Sequence, residues 1–214
     1  MLFQNIAKFS KFAFKEDNPL FATALRHTSS SSGESYERLE FLGDRILGLC
    51  VAEMLYRMYP DSAEGGLAKR HAELVSATCL SDIGLSLNID KDIDIQGNLP
   101  TVAIRADVIE SIIGFLYISG GMPPCQDFIQ HFWQPLAQAM ETPPDNPRSQ
   151  LQEWTMQRKL PPPNYLEIAR KGSEHAPEFC FEVAVKGQGK AQAWGKTKQA
   201  AKSAAAAEMM KEIR

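Results

Sequence analysis

The sequence lacks several features that mark specialised protein classes. Its 214 residues include four cysteines, and no two of them form a CxxC pair, so neither a zinc site nor a disulfide framework is expected. It has no apolar run of about 18 residues, the length that a membrane-spanning helix needs, and no internal repeat. We therefore expect reduced thiols, a cytoplasmic location, no membrane partner and a globular chain that buries an ordinary core.

The sequence also has little net charge, −3, which taken alone argues against a nucleic-acid partner. The proline-rich stretch 141–147 (ETPPDNP) is typical of a linker, and we predict domains at 1–141 and 148–214 joined by a linker at 142–147. Residues 1–147 hold 11 Lys and Arg against 19 Asp and Glu, a net of −8; residues 148–214 hold 12 against 7, a net of +5. Either surface charge varies by chance between the halves, or the basic half binds a polyanion.

Hydrophobic periodicity predicts helices through most of the first 140 residues. The basic N-terminus lacks the Arg and Ser bias and the long apolar core of targeting peptides, so it is assigned to a first amphipathic helix. Residues 89–95 alternate, but their three acids indicate a loop or a short edge strand. The predicted helices are 3–13, 19–27, 36–58, 65–87, 102–119 and 124–140.

The last 65 residues show a different pattern, with alternation typical of strands at 164–170, 178–186 and 190–194. Helices are predicted at 148–158 and at 197–213, where the alanines form a packing face. The fold class is thus an all-α domain followed by a small α+β domain of order α-β-β-β-α. Trp194 and the face of Phe179 and Phe181 are assigned to the core rather than to a platform that stacks on nucleic-acid bases.

Three acids form a strip on the predicted helix 36–58. Glu37, Glu40 and Asp44 lie within about 60° of one another at 100° per residue, whereas Arg38 and Arg45 project at other angles and are poor partners. The strip is either a solvated stripe, or it is compensated by basic side chains or a divalent metal. The other faces are apolar, formed by Leu39, Phe41, Leu42, Ile46, Leu47, Leu49, Cys50 and Val51.

A second apolar helix repeats this pattern with Asp107 and Glu110 at i and i+3. Two such helices can bring four carboxylates to one point, and an all-oxygen ligand set suits Mg²⁺ or Mn²⁺. Such ions serve phosphodiester chemistry, because they lower the pKa of a bound water and shield phosphoryl charge. Gly43, Gly48 and Gly114 are expected to permit a close helix crossing near the site.

The sequence resembles the ribonuclease III family over nearly its whole length. The family signature ERLEFLGD is intact at 37–44, and the second acidic motif, ADxxEAxxG, occurs at 106–114 with Ser111 in place of the usual Ala. The tail resembles a double-stranded RNA-binding domain. Further matches are ALRHTS at 24–29, GL at 66–67, LVS at 74–76, SQLQE at 149–153 and GKTKQAAK at 195–202.

The resemblance implies an endoribonuclease that cuts double-stranded RNA as a homodimer, leaving 5′ phosphates and short 3′ overhangs, with no small-molecule cofactor. It implies that Mg²⁺, with Mn²⁺ as a substitute, is held by Glu40, Asp44, Asp107 and Glu110. Asp44 and Glu110 would be catalytic, and Glu37 and Glu64 would be accessory acids. Precursors of ribosomal RNA and other structured transcripts are the expected substrates. The RNA contacts implied by resemblance are Ser149, Gln152, His175, Lys196, Lys198 and Lys202.

Departures from the family pattern and rival hypotheses remain. Tyr36 stands where Asn is usual, Arg45 where a small residue is usual, and residues 89–105 lack the usual glycine- and serine-rich form. Phe41 and its apolar neighbours are assigned either to a dimer interface or to the core. The rival functions are a non-catalytic RNA-binding or ribosome-associated relative, and another metal phosphohydrolase on a helical fold. Taken singly, each lysine and His175 is better explained as a solvated surface residue than as an RNA contact.

Overall fold

The computed structural model describes residues 2–31, 33–97, 99–140, 142–143, 147–173 and 176–213. The chain divides into two compact units, Met1–Pro144 and Asp145–Arg214. No helix in these ranges is long and apolar enough to cross a membrane. Part of the predicted linker, 144–146, lies outside the described residues. The helices of the first unit are α1 (Leu2–Phe9), α2 (Pro19–Ala24), α3 (Glu37–Met58), α4 (Glu64–Leu74), α5 (Ala77–Ser86), α6 (Val102–Gly120) and α7 (Met122–Gln138).

Helices α3 and α6 pack closely against each other in the core of the first unit. A methyl group on Gly43 would collide with the main-chain carbonyl of Glu110, and one on Gly114 would collide with that of Leu39. Both glycines therefore permit the close crossing that the sequence predicts. The same expectation for Gly48 is wrong, because a methyl group there would meet only the ring of His71, at 3.8 Å.

Helix α3 is less buried than its apolar sequence suggests. Its core face is formed by residues such as Leu39 and Ile46, but Phe41, Leu49 and Tyr56 have 65%, 60% and 74% of their surface exposed. These three side chains, here called the α3 stripe, lie within about 80° of one another around the helix. Leu49 is thus exposed although it belongs to the apolar faces of the helix, and a core role for Phe41 is wrong.

Two predicted elements are divided or replaced in the structure. The single helix expected at 65–87 is two helices, because Ser76 has extended backbone and its side chain caps α5 by accepting from the Cys79 amide at 3.2 Å. The ambiguous segment 89–95 contains a 3₁₀ turn at Ile89–Lys91. Asp94 follows it and forms one isolated parallel bridge with Arg26.

The second unit has the predicted α-β-β-β-α order. It contains α8 (Pro147–Gln157), β1 (Asn164–Ser173), β2 (Ala176–Val185), β3 (Gly189–Gly195) and α9 (Lys198–Glu212). The strands form an antiparallel sheet in the order β1-β2-β3. Its core joins α8, the sheet and the alanine face of α9, through Leu151, Val183, Val185, Ala191, Ala205, Ala206 and Met209.

Trp194 does not belong to that core, contrary to the sequence-based assignment. Its partner across the sheet is Cys180. Cys180 is separated by an odd number of residues from the buried Phe181 and Val183 of the same strand. Since side chains alternate along a strand, Trp194 lies on the opposite sheet face from these two, and 43% of its surface is exposed. Phe181 is buried as expected, with 4% exposed.

Candidate active site

Three carboxylates converge where α3 crosses α6. Glu40 is supplied by α3, and Asp107 and Glu110 by consecutive turns of α6; one oxygen from each lies within 4.8 Å of the others. The glycine contacts of Gly43 and Gly114 bring the two backbones together beside these residues. The structure thus brings together three of the four predicted metal ligands, here called the acid cluster.

Burial and mutual repulsion make the ionised form of the acid cluster costly. Burial, followed by the charges of Glu40 and Asp107, raises the pKa of Glu110 to about 7. The pKa of Glu40 is raised by burial and by the charges of Asp107 and Glu37. Burial also raises the pKa of Asp107. A divalent cation would relieve this repulsion, and the all-oxygen donor set fits a hard ion such as Mg²⁺.

Tyr36 forms a hydrogen bond with Asp107, one member of the acid cluster. Its hydroxyl donates a hydrogen bond to a carboxylate oxygen of Asp107 at 3.1 Å, and the residue is only 3% exposed. This hydrogen bond favours the ionised form of Asp107, and it partly offsets the rise in pKa caused by burial. Tyr36 was recognised in the sequence only as a departure from the family pattern, because its contact with Asp107 spans 71 positions.

Hydrogen bonds and a ring contact link Tyr36 to the neighbouring segments around His27 and Asp94. The Tyr36 amide donates to the Arg26 carbonyl at 2.9 Å, and the His27 amide donates to the Asp94 carbonyl at 2.9 Å. The rings of His27 and Tyr36 meet edge to face with centroids 5.8 Å apart. The Ser30 hydroxyl donates to the Asp94 carboxylate at 2.8 Å. These contacts fix the phenol that orients Asp107, a role that no local sequence pattern indicated.

The fourth predicted ligand, Asp44, is engaged elsewhere. It lies one turn after Glu40 on α3, and its carboxylate forms an ion pair with the guanidinium of Arg45. The prediction that Arg45 is a poor partner is therefore wrong. Glu37 is exposed and accepts a hydrogen bond from the Ser35 hydroxyl at 3.0 Å. Glu64 is exposed in the first turn of α4, and neither accessory acid belongs to the acid cluster.

The N-terminus of α9 carries the predicted lysines of the second unit. The Thr197 side chain caps the helix by accepting from the Ala200 amide at 3.1 Å. The Lys198 ammonium lies 2.8 Å from a Glu167 oxygen and 5.4 Å from the Phe179 ring centroid. The Lys202 ammonium lies 4.9 Å from the Phe181 ring centroid.

The remaining predicted RNA contacts lie in three places. Lys196 is exposed between β3 and α9. Ser149 is half-buried and Gln152 is exposed, both in the first turns of α8. His175 lies outside the described residues. Gly195 precedes Lys196 where β3 meets α9, and a methyl group on it would collide with the backbone of Ala201.

Comparison with known proteins matches one family model to each of the two units. Residues 17–136 match the family model described as Ribonuclease-III-like, and residues 147–213 match the double-stranded RNA binding motif. Ribonuclease 3 of Methylocella silvestris is 41% identical, covering 88% of this chain and 83% of that protein. Ribonuclease 3 of Anaplasma phagocytophilum is 37% identical, covering 99% and 93%.

Solved structures agree with these matches. The nuclease domain of ribonuclease III from Campylobacter jejuni superposes with a TM-score of 0.57 at 30% identity, covering 62% of this chain and 96% of that domain. The helical unit therefore has the fold of a ribonuclease III nuclease domain, and the second unit that of a double-stranded RNA-binding domain. The chain belongs to the ribonuclease III family, and it is an endonuclease of the ribonuclease III type.

Proposed function

We propose that this enzyme hydrolyses phosphodiester bonds of double-stranded RNA in a Mg²⁺-dependent reaction, with Mn²⁺ as a substitute. The products would be 5′-phosphate and 3′-hydroxyl ends with short 3′ overhangs. Ribosomal RNA precursors and other structured transcripts, including messenger RNAs, are the proposed substrates, in the cytoplasm. The observation that carries the proposal is the convergence of Glu40, Asp107 and Glu110 at the crossing of α3 and α6.

The acid cluster would hold the metal, together with Asp44 from the next turn of α3. A divalent ion bound there supplies a water of lowered pKa and neutralises charge on the phosphate that is attacked. The protein's own contribution is a half-buried group of carboxylate oxygens on two packed helices. Tyr36 orients Asp107, the neighbouring carboxylates keep Glu110 easy to protonate, and the paired glycines hold the two helices at the required separation.

The second unit supports the choice of substrate. An α-β-β-β-α module recognises duplex RNA by its shape, through 2′-hydroxyls and phosphates rather than bases. The capped N-terminus of α9 presents main-chain amides and Lys198, which suits phosphate binding. We assign Lys196, Lys198 and Lys202 to phosphates, and Ser149, Gln152 and His175 to the minor groove. Catalysis is assigned to 1–141, RNA binding to 148–214, and 142–147 to the linker.

The α3 stripe supports a homodimer. Its three large side chains are more than half exposed on one side of a helix, and exposed apolar side chains grouped on one side of a helix are candidates for an interface. The matched Campylobacter jejuni domain is described as having a region involved in dimer formation. Two copies of this chain that meet along α3 would place one acid cluster on each side of the contact, one for each RNA strand.

The decisive experiment is incubation of the purified protein with a long RNA duplex, with Mg²⁺, with Mn²⁺ or with a chelator. We expect shortening of the duplex with either ion and none with the chelator, and single-stranded RNA of the same sequence should persist. Mapping the ends should show 5′ phosphates and two-sided cuts with 3′ overhangs. Duplex binding without metal-dependent shortening would contradict the proposal and favour a binding protein.

The homodimer is tested separately, by sedimentation. Replacing Leu49 and Tyr56 together by Gln removes apolar surface from the α3 stripe without adding charge, and it should shift the protein from dimer to monomer. Leu99→Gln is the matched control, because Leu99 is 83% exposed but lies outside α3. A dimer that persists in the double variant, or a wild-type monomer, would contradict the proposed interface.

A further inference from the structure

Arg45 contacts both the proposed metal site and the α3 stripe. Its guanidinium forms an ion pair with the Asp44 carboxylate, and its central carbon lies 4.9 Å from the centroid of the Phe41 ring. The side chains of Arg45 and Asp44 are 64% and 44% exposed. Arg45 is thus held over the end of α3 that carries the proposed ligands, with its planar group resting on an aromatic ring.

The charge of Arg45 acts on more than one acid of the site. Besides pairing with Asp44, it is close enough to lower the pKa of Glu110, against the effects of burial and of the neighbouring acids. The guanidinium of arginine is a delocalised cation in proteins. The proposed metal site therefore contains a positive charge that belongs to the chain itself.

We propose that Arg45 is an internal counter-ion that competes with the divalent cation for Asp44. Arg45 pairs with the Asp44 carboxylate, which lies outside the acid cluster of Glu40, Asp107 and Glu110. Metal binding requires that carboxylate to leave the guanidinium. This inference rests on the proposed metal site, and it adds that Arg45 sets the Mg²⁺ concentration at which the site fills.

Two physical terms give the competition its direction. The Asp44 oxygen that accepts from Arg45 cannot at the same time be a close ligand of a metal ion without bringing two positive groups together. The guanidinium also repels a dication near Glu110 directly. Because an exposed ion pair contributes little, loss of the Arg45 charge should tighten metal binding on the order of fivefold rather than by many decades.

The test is titration of the RNA-free protein with Mn²⁺, in which electron paramagnetic resonance measures the concentration of free Mn²⁺. Arg45→Met keeps the side-chain stem on Phe41 but removes the charge, and Arg45→Lys keeps the charge. We expect Mn²⁺ to bind Arg45→Met about fivefold more tightly than wild type, and Arg45→Lys within about twofold of wild type. Competition by Mg²⁺ should follow the same order.

Arg57→Ala is the matched control. Arg57 forms an exposed ion pair with Glu53 at 2.5 Å on the same helix, about 18 Å along the axis from Arg45, and its loss should leave Mn²⁺ affinity unchanged. Equal or weaker Mn²⁺ binding by Arg45→Met would overturn the inference while leaving the metal site intact. Weaker duplex binding with unchanged Mn²⁺ affinity would also overturn it, and would assign Arg45 to the RNA. No saturable binding by wild type would instead overturn the metal site itself.

Discussion

The two units of this chain hold their functional charges in opposite ways. In the first unit, Glu40, Asp107 and Glu110 are half-buried and crowd one another across a tight helix crossing. In the second unit, Lys198 is exposed and Lys202 is half-buried, and the ammonium group of each lies over an aromatic ring. A crowded buried site depends on each atom, whereas an exposed basic surface acts through summed charge. Substitutions in the two units should therefore differ in both size and character.

The largest effect is expected from Glu110→Gln in the first unit. It removes a charge and a proposed metal ligand while keeping the shape of the side chain. Cleavage should therefore fall by more than the ~10–100-fold typical when a residue that only hydrogen-bonds to a metal ligand is changed. Duplex binding, measured by gel shift, should be unchanged. Glu73→Gln, an exposed acid on α4, is the control and should cut normally. Loss of duplex binding in Glu110→Gln would show that Glu110 supports the fold instead.

The next effect concerns the stability of the metal-free protein against pH. Because the pKa of Glu110 is about 7 in the folded protein and near 4.5 ordinarily, the folded state binds more protons between these values. Stability should therefore fall as pH rises from about 4.5 to 7, on the order of 2 kcal/mol after solvent screening. Denaturant unfolding with a chelator measures this fall. The fall in stability should be smaller in Glu110→Gln. An equal fall in both proteins would contradict the raised pKa of Glu110.

A smaller effect, about tenfold, is expected from Tyr36→Phe. The ring would still pack against His27, but Asp107 would lose the hydroxyl that orients it, and such partners typically contribute this much to metal affinity. Mn²⁺ titration should show the weakening, and cleavage should recover at high Mg²⁺ while duplex affinity stays constant. Tyr117→Phe, a partly exposed tyrosine of α6, is the control. Unchanged Mn²⁺ affinity in Tyr36→Phe would remove Tyr36 from the site.

The smallest effect is expected in the second unit, from Lys198→Ala combined with Lys202→Ala. Duplex affinity should fall about fivefold, and the slope of its logarithm against that of salt concentration should flatten by about one to two. Replacing Lys190 and Lys211 by Ala changes the net charge equally, but those lysines pair with Glu182 and Glu208 away from the α9 N-terminus. Equal salt slopes in the two double variants would refute specific phosphate contacts. They would favour a general attraction of RNA to the net positive charge of the second unit.

Much of the fold could be predicted from the sequence, because long apolar periodicity determines α3, α6 and the alternating strands. The break between α4 and α5 could not, since Val75 and Cys79 continue the apolar pattern across the capping Ser76. The outward position of Trp194 follows from its alternation with the buried Ala191. The assignment of Trp194 to the core compares burial only with base stacking, and it does not use this alternation.

The acid cluster was predictable because spacing on two helices determines which carboxylates share a face. The helical-wheel projection that grouped Glu40 with Asp44 failed for Arg45. The projection gives each side chain only the direction in which it leaves the helix. A long flexible arginine stem instead turns back to the residue beside it. The hydrogen bond from Tyr36 to Asp107 was equally out of reach, since it depends on how α3 and α6 cross.

The central claim is that Glu40, Asp107 and Glu110 bind the divalent ion on which cleavage depends. The most direct measurement is Mn²⁺ binding to the RNA-free protein, compared between wild type and Asp107→Asn. We predict saturable binding by wild type that Mg²⁺ displaces, and a loss of that binding in Asp107→Asn in parallel with a loss of duplex cleavage. Equal Mn²⁺ binding by both proteins would contradict the claim.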